Sequence, residues 1–146
     1  MKIKFAIVAA VVSLALAGSA HAAEFTINMV NKDANGLTMQ FEPAFLKIAP
    51  GDIVHFVAVD KGHDSESILV PDGATPWKGK ISQNVDVTFT TAGLYVFKCT
   101  PHYPMGMVGL IEVGDDPVNV TAVKALTMPS KPTARITELL EGADVK

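Results

Sequence analysis

A series of short β-like runs, separated by turn residues and by no helix, restricts this chain more than any other feature of its sequence. Phe25, Ile27 and Met29 alternate with Glu24, Thr26 and Asn28, and Leu37, Met39 and Phe41 alternate with Thr38, Gln40 and Glu42. A period of two sends successive side chains to opposite faces of a strand. Ile53–Val59, Ser67–Val70, Val85–Phe89, Leu94–Cys99 and Val108–Val113 continue the pattern with branched and aromatic residues. Ala49-Pro50-Gly51-Asp52, Pro71-Asp72-Gly73 and Thr91-Ala92-Gly93 supply turns between them. Strands this short and this closely spaced predict an antiparallel sandwich or barrel. A length of 146 residues fits one domain with a modest core.

The two ends of the chain follow other rules. After Gly114, Asp116-Pro117 reads as a helix cap followed by a first-turn proline, with Val118, Ala122 and Ala125 on one face. Met128-Pro129-Ser130-Lys131-Pro132 interrupts that helix. A second helix is expected over Thr133–Glu141, where Ile136, Leu139 and Leu140 form an apolar stripe and Gly142 can cap the end. Two helices this short cannot bury a core alone, so both are expected to pack on the sandwich. At the N-terminus, Lys2 and Lys4 precede the apolar stretch Phe5–Ala17, and Ala20-His21-Ala22 has the small-x-small form that signal peptidases cut. A secretory signal over residues 1–22 is expected, with His21 leaving in it. A membrane span would need about 20 apolar residues, and Gly18 and Ser19 break the run. The mature domain then covers residues 23–146, the sandwich about 23–114 and the helical tail about 115–146, with no membrane insertion after cleavage.

Cleavage removes two lysines and no acid, so the mature chain is more acidic than the formal −3 of the full sequence. Nucleic-acid binding is excluded as a function, because no basic run supplies the counterion release on which it depends. Export also sharpens the meaning of the single cysteine, since exported cysteines normally pair as disulfides. Cys99 has no second cysteine in the chain. By itself it fits a buried structural residue, an intermolecular bridge, a nucleophile or a metal ligand.

Its neighbours narrow that choice. Cys99-Thr100-Pro101-His102-Tyr103-Pro104-Met105-Gly106-Met107 places an imidazole three residues beyond the thiol, past a proline that turns the chain out of its strand. Upstream, Asp60-Lys61-Gly62-His63-Asp64 puts a second imidazole in the loop after Ile53–Val59. Two imidazoles, one thiolate and a weak thioether make the blue-copper donor set, and methionine disfavours zinc. Met105 and Met107 both stand at workable spacings. Met107 is preferred for the axial position, because Gly106 allows a turn before it and Val108 resumes a strand immediately after. His55, inside a strand, is read as structural.

With these residues the chain resembles the cupredoxins, and among them the pseudoazurins. The likeness runs over the whole mature chain through Phe41-Glu42-Pro43-Ala44, Ala49-Pro50-Gly51-Asp52, Asp60-Lys61-Gly62-His63, Cys99-Thr100-Pro101-His102-Tyr103, Gly106-Met107-Val108-Gly109 and the paired helical tail. The resemblance implies an all-β Greek-key sandwich with two short C-terminal helices. It also implies one type 1 copper on His63, Cys99, His102 and Met107. The expected activity is one-electron transfer in the periplasm, from a cytochrome or other donor to a reductase such as the copper nitrite reductase of denitrification, by a monomer. Asp64 stands where the family usually has asparagine. A carboxylate there loses a side-chain donor and, if turned inward, favours Cu(II) and lowers the potential.

The resemblance further implies docking around an exposed edge of His102, over Pro101, Pro104, Met105 and Met39. Lys32, Lys61, Lys78, Lys80 and Lys98 would ring that patch and steer an acidic partner despite the net negative charge. Three other functions compete. A copper chaperone or store would present exposed methionines or a Cys-x-x-Cys pair, and an amicyanin-like protein would accept electrons from an amine dehydrogenase. A nucleophilic enzyme built on Cys99 and His102 would need an orienting acid and an oxyanion loop, and neither is evident.

Overall fold

The computed structural model describes residues 21–145, and the expected signal segment therefore lies, apart from His21 and Ala22, outside the described residues. Eight strands form two four-stranded sheets: β1 Glu24–Lys32, β2 Thr38–Glu42, β3 Phe45–Ile48, β4 Asp52–Ala58, β5 Glu66–Leu69, β6 Val85–Phe89, β7 Gly93–Lys98 and β8 Val108–Val113. One sheet runs β2-β1-β4-β6 and the other β3-β8-β7-β5. The expected sandwich is present, but it is mixed and not purely antiparallel. β1 lies parallel to β4 and β3 parallel to β8. These pairs join strands distant in sequence, whereas turn chemistry reports only on hairpins between neighbours. β3 escapes the sequence reading because it has only four residues, in a segment bounded by Pro43 and Pro50.

Ile27, Met29, Phe41, Val54, Phe56 and Phe89 of the first sheet meet Ile48, Tyr95, Phe97, Ile111 and Val113 of the second in one core. Phe97 is central to it, with its ring centroid 4.7 Å from Phe41, 5.2 Å from Phe56 and 6.1 Å from Trp77. Its cross-strand partner is Gly109. A Cβ there would collide with the Phe97 ring, so the ring occupies the space of a side chain. Leu37 departs from the expected alternation and is half exposed. Met39 has φ +54°, which breaks the extended chain between Leu37 and Phe41.

Two helices follow, α1 Val120–Lys124 and α2 Ser130–Gly142. They cover the outer face of the second sheet, where Leu94, Val96, Val108 and Leu110 pack against Val123, Ile136 and Leu140. Coverage on both faces explains why β7 and β8 are nearly continuous in apolar residues. The expected stripe of α2 is correct, but four details of the tail differ. α1 begins after Asn119 and not at Asp116, because the Asn119 amide accepts from Leu94 N at 2.7 Å and donates to Leu94 O at 2.9 Å. Its buried residue is Val123, while Val118, Ala122 and Ala125 are exposed. α2 includes Pro132 in its first turn, where no intrahelical donor is lost. Gly142 lies inside α2, and the left-handed residue at the end is Asp144 with φ +54°.

Candidate metal centre

Three loops at one end of the sandwich supply the chemistry. Cys99 and Met107 face each other where β7 and β8 end, and Cys99 N donates to Met107 O at 3.0 Å, extending the ladder by one step. The hairpin loop between them folds over the carbonyl of His102, which accepts from Met105 N at 3.0 Å and Met107 N at 3.3 Å. Tyr103–Met105 forms one 3-10 turn, ended by Gly106 at φ +94°. That left-handed residue costs glycine little and reverses the chain between the two methionines. Met105 is thereby half exposed, while Met107 is fully buried in the same core cluster as Cys99.

His63 descends from the loop between β4 and β5 and is fully buried. Its Nε2 lies 2.9 Å from Asn31 Oδ1, an oxygen that only accepts. The ring proton therefore sits on Nε2, and the Nδ1 lone pair is free. This Nδ1 lies 3.6 Å from Cys99 Sγ and 3.1 Å from His102 Nδ1, and the third side, Cys99 Sγ to His102 Nδ1, measures 3.4 Å. Atoms so spaced surround a point about 2 Å from each, the bond length of nitrogen and sulfur donors to a borderline transition metal. Among the described residues, His63, Cys99 and His102 are the group able to hold a metal ion.

The electrostatics agree with that geometry. Burial, and after it the neighbouring His102, holds His63 below the usual imidazole range, so the ring stays neutral. Burial pushes the Cys99 thiol up, against backbone hydrogen bonds with Asp64 and His102. A metal must therefore displace a proton from sulfur, which makes its affinity rise with pH. One buried thiol, two imidazoles and a buried thioether form a donor set that fits copper and not a hard ion.

Two residues that the sequence reading did not single out complete the site. Asn31, near the end of β1, fixes His63. Glu66, the first residue of β5, accepts from Thr100 Oγ1 at 2.9 Å and lies 3.4 Å from Lys78 Nζ and 3.8 Å from Lys98 Nζ. Neither polar pairing has a local sequence signal, because each joins residues more than thirty positions apart or across strands. Asp64 is buried, and its Oδ1 accepts from Thr100 N at 2.5 Å, tying the His63 loop to the Cys99 loop.

The expected docking residues divide into groups. Pro101, Pro104 and Met105 are exposed beside the half-buried His102, and Met39 is half-buried. Lys78 and Lys98 share Glu66, and Lys98 Nζ also lies 5.1 Å from the Tyr103 ring centroid. Lys32, Lys61 and Lys80 are exposed and make no ion pair among the described residues.

Comparison with known proteins gives a consistent result. The family model of copper binding proteins, plastocyanin/azurin family, matches residues 27–114. The pseudoazurin of Paracoccus pantotrophus is 46% identical over 130 residues, covering 88% of this chain and 89% of that protein. A pseudoazurin named as putative from Rhizobium leguminosarum bv. viciae is 45% identical over 139 residues, covering 93% and 91% respectively. The crystal structure of native pseudoazurin from Hyphomicrobium denitrificans superposes with a TM-score of 0.78 at 42% identity, covering 82% of this chain and 98% of that one.

Proposed function

The chain belongs to the plastocyanin/azurin family of copper-binding proteins, on its pseudoazurin branch, and from that premise we propose that it is a periplasmic one-electron carrier that delivers electrons to a reductase. Copper is its cofactor, and His63, Cys99, His102 and Met107 would hold it. The observation that carries this reading is the converging triangle of His63 Nδ1, Cys99 Sγ and His102 Nδ1. When bound, copper supplies a one-electron couple that makes and breaks no bond in a partner.

The protein's own residues do the rest. Strand ends and the Asn31 anchor hold His63 and Cys99 in place, which leaves the ligands little freedom to rearrange between redox states. Burial of His63, Cys99 and Met107 keeps water out and argues against a chaperone or store, which must exchange its metal readily. His102, half-buried among exposed Pro101, Pro104 and Met105, offers the shortest way from the site to a partner. The buried Asp64 carboxylate beside His63 adds negative charge and favours the oxidised state. Export follows the reading of residues 1–22 as a signal cleaved before Ala23. Among the described residues, no helix is long and apolar enough to cross a membrane.

Steering by lysines supplies the experiment. Copper nitrite reductase is the expected acceptor class, and the second-order rate to it should fall as salt rises, because screening acts over about 8 Å at physiological ionic strength. Lys61→Glu and Lys80→Glu should each slow that rate several-fold. Lys98→Glu should do less, since Lys98 already shares Glu66. Lys124→Glu serves as control, because α1 is anchored at Leu94, the end of β7 away from Cys99. Stopped-flow kinetics reads all four, and equal effects or no salt dependence would contradict lysine steering.

A further inference from the structure

Asp52, the first residue of β4, is a buried carboxylate with only 6% of its surface exposed. Its Oδ1 accepts from Ala23 N and its Oδ2 from Ala49 N, each at 2.8 Å. Both donors are neutral amides in the uncleaved chain. No cation pairs with Asp52 among the described residues. Lys47 lines the same shallow groove, but its Nζ is held by Glu112 at 3.0 Å and Asp115 at 3.4 Å. A buried carboxylate without a positive partner is costly to keep.

We propose that signal cleavage supplies that partner: the α-ammonium created at Ala23 seats on Asp52 and locks the start of β1. The proposal rests on cleavage before Ala23. Hydrolysis of the Ala22–Ala23 peptide by a signal peptidase adds one water, and the proton released by the new carboxyl group passes to the amine, which leaves a carboxylate on the leader and an ammonium on Ala23 with no net proton uptake. The nitrogen already stands where the pair needs it. Ala23 O accepts from Ile53 N at 2.9 Å, so the strand ladder holds this residue from its other side. Ala49 N keeps its bond to the second carboxylate oxygen, and the neutral contact at Oδ1 becomes a charge-assisted one. The ammonium thus matures the domain without any change of fold.

The pair lies at the opposite end of β1 from Asn31, which holds His63, so its effect belongs to stability and not to the copper spectrum. Intact-mass measurement of the exported protein should find Ala23 at the N-terminus. Urea unfolding of the copper-loaded mature protein then compares three forms: free Ala23, Nα-acetylated Ala23, and a chain with one glycine added ahead of Ala23. Acetylation removes the charge, while the extra glycine keeps it but moves it off Asp52. Both should lower the folding equilibrium constant about tenfold, the size of one charge-assisted hydrogen bond, with the visible spectrum unchanged. In an Asp52→Asn background the three forms should converge. A different N-terminus would overturn the cleavage premise and the proposal with it. With Ala23 confirmed, equal stability of the three forms, or equal losses in both backgrounds, would overturn the ion pair alone; if Asp52→Asn does not fold, the comparison among the three forms still decides.

Discussion

Asn31 decides which nitrogen of His63 is available, and through that it governs the site without being one of its donors. Removing its oxygen frees the ring to turn and to change tautomer. Asn31→Ala is expected to weaken copper binding about 10–100-fold, the usual cost of losing a partner behind a metal-bound histidine, with the fold kept. Competition against a chelator of known affinity measures this, and an unchanged affinity would show that packing alone orients His63. The two methionines differ in a similar way. Met107→Gln should shift the potential and the spectrum, because its side chain is buried with Cys99, while Met105→Gln should leave both nearly unchanged. Voltammetry on the two variants separates them, and the reverse pattern would move the axial role to Met105. At this scale the sequence is readable where chemistry is concentrated in a few positions, as in the run from Cys99 to Met107. It is silent on Asn31 and Glu66, since a polar residue near a strand end becomes informative only when folding brings its partner across.

Strands carry a second electrostatic device, well away from the metal centre. His55 in β4 lies 2.8 Å from Asp86 of β6 and 3.2 Å from Glu24 of β1, so one imidazole joins three neighbouring strands. Hydrogen bonding to Asp86, and then to Glu24, raises its pKa above the usual 6.5. The folded state therefore binds this proton more tightly than the unfolded chain does. Its stabilisation is fully present below the unfolded value and is lost as pH rises through the raised folded value. His55→Gln should lower the urea midpoint at about pH 5.5 and leave it nearly unchanged at about pH 9; a loss of equal size at both would point to packing. His55 is legible as a strand residue from its surroundings, but its partners become visible only with the register of β1, β4 and β6. The same limit explains the parallel pairs and the misread face of α1. There Asn119 is drawn to the β7 backbone, and the helix starts later than Asp116-Pro117 suggests.

Across the whole molecule, the work is divided between the two ends of the sandwich. One end gathers His63, Cys99, His102 and Met107 under an apolar surface with free lysines nearby, while the other holds Asp52 against Ala23. The helical tail closes the outer face of the second sheet and lets β7 and β8 be apolar on both sides, which is how Cys99 and Met107 come to sit at the ends of two buried strands. The architecture was readable as a sandwich because alternation and turns are local properties. Its mixed pairing was not, because β1 and β4, and β3 and β8, meet only through long crossovers. These strand ends form a type 1 copper site, and an optical titration tests that most directly. One equivalent of Cu(II) added to the protein should give an intense visible band from thiolate-to-copper charge transfer, and Cys99→Ser, still folded by circular dichroism, should lack it. A colourless parent protein, or a serine variant that turns equally blue, would contradict the assignment.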